Sequence, residues 1–180
     1  MKAPLRPVLA AVALLALPAL AVAKEYPVGK PVVKNGMEIA AVYLQPVRME
    51  PDGMMRKAED SDVHLEADIK AAKNNPNGFA EGDWMPYLSV QYELSKQGGE
   101  TQSGEFMPMV ASDGPHYGDN VKLMGARKYK LTFTIKSLGA ETTDHFGRHV
   151  DKETGVGPWA APFSVDYEFT YAGTGKKGAY

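Results

Sequence analysis

The stretch Ala126-Arg-Lys-Tyr-Lys-Leu-Thr-Phe-Thr-Ile-Lys136 alternates apolar and polar residues without a slip. Tyr129, Leu131, Phe133 and Ile135 point one way, and Lys130, Thr132, Thr134 and Lys136 the other, so one face packs and the other meets water. Phe163 to Tyr171 repeats the pattern, as do Tyr87 to Leu94 and, less strictly, Ile39 to Val47. Helical periodicity of any length is absent. Turn-forming clusters separate the alternating runs, for example Asn74-Asn75-Pro76-Asn77-Gly78 and Lys96-Gln97-Gly98-Gly99-Glu100. A chain built this way predicts an all-β domain, an antiparallel sandwich or barrel.

The first residues follow another rule. Lys2 and Arg6 form a short basic start, Val8 to Leu20 an apolar run, and Ala21-Val22-Ala23 a small-x-small ending. The run falls short of the ~20 residues that span a bilayer, and Pro18 interrupts it. We therefore read residues 1–23 as a cleaved secretory signal peptide and residues 24–180 as one exported domain. The chain has no cysteine, so neither disulfides nor thiolates are available and the core alone must stabilise it. Loss of Lys2 and Arg6 takes the formal charge from −2 to −4, which argues against nucleic acid as a partner. The tail Ala172 to Tyr180 is Gly-rich and reads as a frayed end.

Three segments concentrate metal-ligating side chains. In Val63-His64-Leu65-Glu66-Ala67-Asp68-Ile69 the alternation puts His64, Glu66 and Asp68 on one strand face. Side chains two apart on a strand stand roughly 6 to 7 Å from each other and can converge on one ion, although a solvated polar face has the same pattern. In Phe106-Met-Pro-Met-Val-Ala-Ser-Asp-Gly-Pro-His-Tyr-Gly118, Met107 and Met109 share a face and Asp113-Gly114-Pro115 turns the chain to present His116. Pro108 places the segment at a sheet edge or bulge. Methionine fills cores as readily as it ligates, and a Met and a His in one cavity favour copper. In Asp144-His-Phe-Gly-Arg-His149 the two histidines sit in a Gly-bounded segment with loop character. Hydrolase elbows and Walker loops are absent from the sequence.

His64 to Ile69, Trp84-Met-Pro-Tyr-Leu88, Phe106 to Gly118 and Arg148-His-Val-Asp-Lys-Glu-Thr-Gly-Val156 together resemble the periplasmic iron-transport protein family. The likeness covers nearly the whole chain beyond residue 23. It implies an immunoglobulin-like β-sandwich that forms a homodimer in the periplasm, binds copper and iron, and works beside an inner-membrane iron permease. It also implies metal ligands at His64, Glu66, Met109, His116 and His149, with Met107 and His145 as neighbours. The sequence departs from the family at Trp159-Ala160-Ala161-Pro162-Phe163, beside the His149 segment. Three imidazoles, a carboxylate and a thioether suit copper best, and iron, zinc or manganese compete through nitrogen and oxygen. Neutral His ligands predict metal release as pH falls toward about 6.5. A copper-dependent enzyme that oxidises ferrous iron is the competing functional expectation.

Overall fold

The computed structural model describes residues 24–96, 99–137 and 146–173. The expected leader, His145 and residues 174–180 lie outside the described residues. Nine strands form: β1 (Tyr26–Pro27), β2 (Val32–Lys34), β3 (Met37–Leu44), β4 (Val63–Ala71), β5 (Leu88–Lys96), β6 (Thr101–Ala111), β7 (Gly114–Val121), β8 (Arg127–Ser137) and β9 (Phe163–Tyr171). Among the described residues the single helical turn is a 3₁₀ turn at Ala58–Asp60. The protein is all-β, as the alternation predicts.

Every strand pair is antiparallel, and hydrogen bonding runs in the order β1-β3-β4-β7-β6-β5-β8-β9, with β2 also on β3. The path curls at β6. Its first half, Thr101 to Ser103 and on to Phe106, pairs with β5, whereas Met107 to Ala111 pairs with β7. Pro108 therefore sits where β6 has one partner, and its missing N–H breaks no ladder on the open side. The curl brings the two ends of the path together. The Tyr167 hydroxyl of β9 donates to the Ile39 carbonyl of β3 at 2.8 Å, and Tyr43 packs on Phe169 and Tyr171.

A single core fills the curl. Tyr129, Leu131, Phe133 and Ile135 of β8 are all buried, as the sequence requires, and meet Val90 and Leu94 of β5 and Val165 and Tyr167 of β9. Each such burial contributes roughly 1.5 to 3 kcal/mol. Two strand ends differ from expectation. β3 stops at Leu44 because Pro46 cannot continue the ladder, and β5 starts after Tyr87, whose φ of 55° lies in the left-handed region.

β4 departs further from a simple alternating strand. Val63, Leu65, Ala67 and Ile69 face the core as predicted, yet His64 and Glu66 on the other face are buried too. The segment after β3 folds across that face. Asn120 of β7 fastens it, donating from Nδ2 to the carbonyls of Val47 and Arg56 at 2.8 Å and accepting from the Val47 N–H. The polar face of β4 is thus an enclosed polar site and not a solvated surface.

Replacing Tyr167 by Phe strands the buried Ile39 carbonyl at the closure. A loss of about 1 to 3 kcal/mol in unfolding free energy is expected from denaturant titration.

Candidate metal centre

Register explains which side chains meet. Directly opposed residues of an antiparallel pair share a sheet face. His64 is opposite Asn120, Glu66 is opposite Gly118, Met107 is opposite the same Gly118, and Met109 is opposite His116. The period-two pattern of β4, β6 and β7 therefore places His64, Glu66, Met107, Met109, His116, Gly118 and Asn120 on one face. Leu44, opposite His64, adds an apolar wall from β3.

His64, Glu66 and His116 converge. His116 Nε2 lies 3.3 Å and His64 Nε2 3.5 Å from Glu66 Oε1, and the two imidazoles stand edge to face with centroids 5.9 Å apart. One ligating atom from each of the three falls within 4.8 Å of the others. All three residues are buried.

The hydrogen bonds behind the rings fix their tautomers. Asn120 Nδ2 is spent on two carbonyls, so its Oδ1, 3.0 Å from His64 Nδ1, accepts a hydrogen bond from the N–H at that position. His116 Nδ1 lies 3.3 Å from the Gly114 carbonyl, which also can only accept. Both Nε2 atoms consequently point lone pairs toward Glu66. His64 Nε2 is buried with no hydrogen-bond partner. Two imidazole lone pairs and, once Glu66 gives up its proton, a carboxylate oxygen form a donor set that could hold a metal ion, with orienting partners behind both rings.

Space is reserved for the ring by Gly118. A β-carbon there would come within 2.7 Å of His64 Nε2. Electrostatics report the same enclosure. Burial, with the nearby Asp68, Glu25 and Asp113 carboxylates, pushes the Glu66 carboxyl up to about 8. Burial also pulls His64 down to about 4, against the opposing Asn120 bond. Glu25, held up to about 7 chiefly by its hydrogen bond to Asp113, lies at the rim.

Met109 lines the same cleft as His64, Glu66 and His116, together with Met49. Met107 shares its sheet face and is half-buried. His149 does not join them in one chain. It stands exposed on the loop between β8 and β9, with Nδ1 2.7 Å from Thr154 Oγ1. Beside that loop, Trp159 stacks on Phe146 and Phe146 on Tyr87. Sequence reading missed Asn120 and Gly118. Continuing the alternation from His116 by two and four residues would have reached both.

A family profile described as Fe2+ transport protein matches residues 22–173. The chain belongs to the Fe2+ transport protein family. A UPF0423 protein of Brucella abortus is 69% identical over 167 residues, 92% of each chain. The 34 kDa membrane antigen of Treponema pallidum is 39% identical over 150 residues, 80% of this chain and 72% of that one. Copper-reconstituted P19 from Campylobacter jejuni superposes with a TM-score of 0.81 at 55% identity, covering 85% of this chain and 99% of the other. A copper-bound variant of FetP from uropathogenic Escherichia coli strain F11 gives 0.78 at 56% identity, covering 83% and 99%. Among the described residues of this Fe2+ transport family member, no helix is long and apolar enough to cross a membrane.

Glu66 and His64 should leave opposite marks on stability. Glu66 holds its proton more tightly when folded, so its contribution falls as pH rises from about 4.5 to about 8. His64 holds its proton less tightly when folded, so its contribution rises with pH from about 4 to about 6.5. Between pH 6.5 and 8 only the Glu66 slope remains of the two, and the metal-free protein is expected to lose roughly 1 to 2 kcal/mol. Glu25 adds a solvent-screened slope of the same sign. Denaturant titrations of wild type and Glu66→Gln isolate the Glu66 share, which the variant should lack.

Proposed function

We propose that this protein is a periplasmic metal-binding component of a bacterial iron-uptake system. It holds copper and iron at His64, Glu66, Met109 and His116 and delivers iron to an inner-membrane permease. The fold serving this role is an immunoglobulin-like β-sandwich, supported by the partner change along β6 and by the packing of β3 against β9. Residues 1–23 act as the leader that is cleaved on export. The chain works as a homodimer. His149, exposed and remote from the cleft of its own chain, is supplied as a ligand to the cleft of a second copy.

One observation carries the metal reading. The buried Nε2 of His64 has no partner, faces Glu66, and has its tautomer set by Asn120. Leaving such an atom unpaired costs free energy unless something accepts its lone pair. Imidazole and carboxylate accommodate iron and copper, and the thioether of Met109 favours Cu(I). The protein binds the cation by exchanging the Glu66 proton for it, so uptake releases that proton and is favoured as pH approaches 8. The site thus begins to lose its charge complement well above the pH of ordinary histidine protonation. The copper-bound structures of P19 and FetP, at more than half identity, support the same assignment.

Titration of the metal-free protein with Cu(II), against a chromophoric chelator, tests it. One copper per site is expected, with binding weakened at least about 10-fold in His116→Ala and in Gly118→Ala, the latter through the methyl group placed against His64. Binding unaffected by both substitutions contradicts the assignment. Continuous ferrous oxidation over many turnovers per copper would instead make the protein a copper-dependent oxidase.

A further inference from the structure

All three histidines among the described residues share one arrangement. Each has an oxygen acceptor behind Nδ1: Asn120 Oδ1 for His64, the Gly114 carbonyl for His116, and Thr154 Oγ1 for His149. For the two buried rings, burial alone demands a partner. His149 is different, since water could satisfy its ring and no burial pressure acts on it.

The polarity of the His149 contact follows from Asp151. The Thr154 hydroxyl has one proton, and it donates that proton to Asp151 Oδ2 at 2.8 Å. Charge-assisted bonds to a carboxylate are the stronger choice for a hydroxyl. The oxygen lone pair left on Thr154 then accepts from His149 Nδ1 at 2.7 Å. We infer that Asp151 and Thr154 are positioning residues that hold His149 in its Nδ1–H tautomer, with the Nε2 lone pair turned outward to ligate a metal. This rests on the metal-binding role proposed above for His149.

The loop is built to keep that relay in place. Asp151 Oδ1 accepts from the backbone N–H groups of Glu153 and Thr154 at 3.1 and 2.8 Å, which sets the hydroxyl over the carboxylate. Gly155 follows, and a β-carbon there would collide with the Asp151 carbonyl, so the turn closes only around glycine. Val156 N–H returns to the His149 carbonyl at 3.0 Å, and Gly157 N–H reaches the Pro76 carbonyl at 2.7 Å. An outward-facing imidazole is thereby fixed in tautomer and direction without cover from its own chain. Ordering a surface side chain in this way costs conformational entropy and contributes little to the fold. A carboxylate–hydroxyl–imidazole chain instead does for His149 what orienting partners do for metal-bound histidines generally.

Two substitutions separate orientation from loop folding. Thr154→Val keeps the shape and removes the hydroxyl, whereas Thr154→Ser restores the hydroxyl. Long-range 1H–15N spectra of the metal-free protein should show His149 as the Nδ1–H tautomer in wild type and Thr154→Ser. The Nε2–H form should grow in Thr154→Val. Cu(II) affinity should fall about 10-fold in Thr154→Val and recover in Thr154→Ser. An unchanged tautomer in Thr154→Val overturns the proposal, and so does an altered tautomer with affinity within twofold of wild type. If wild type binds no copper, the metal-binding reading fails by itself, and the tautomer measurement still decides whether the relay exists.

Discussion

The hydrogen bond between His64 Nδ1 and Asn120 Oδ1 is the constraint on which the rest of this centre depends. Asn120 can offer its oxygen to His64 because its amide nitrogen is committed to the carbonyls of Val47 and Arg56. Those same bonds hold the segment after β3 over β4, where His64 and Glu66 are buried. One side chain therefore closes the cleft and sets the protonation of the imidazole inside it. The result is a lone pair on His64 Nε2 that is buried and faces Glu66 without a hydrogen-bond partner among the described residues.

The remaining features follow from that lone pair and from the sheet. Because β4, β7 and the second half of β6 are in antiparallel register, the candidate ligands face one another with no distortion of the ladder. A missing side chain at Gly118 leaves room for the ring, and burial keeps His64 neutral while it raises Glu66. Enclosure thus favours a protonated Glu66 when no cation is present and a cation when the proton leaves. On the proposed metal-binding reading, the same burial couples occupancy to release of the Glu66 proton.

That the fold is all-β was legible in the sequence because β8 and β9 alternate without interruption, and a residue pattern of period two has one structural reading. The alternation of β4 also showed that His64 and Glu66 share a face. It could not show that this face is buried, since the cover comes from a distant segment fastened by Asn120. Met109 and His116 were legible as neighbours of a turn, but their direct opposition depends on the β6–β7 register. His149 stood out as a loop histidine and through the family resemblance. Its partners Thr154 and Asp151 form a local turn whose meaning appears only with the donor directions. Asn120 and Gly118 carried no individual signal, because an amide and a glycine on a strand acquire their roles from what lies opposite them.

We propose that His64, Glu66, Met109 and His116 hold one metal ion between β4, β6 and β7. Anomalous diffraction at the copper edge from crystals of the copper-loaded protein addresses it directly. A single strong peak is expected within bonding distance of His64 Nε2 and His116 Nε2, with Glu66 and Met109 beside it. A peak elsewhere on the chain, with His64 Nε2 left unligated, would contradict it.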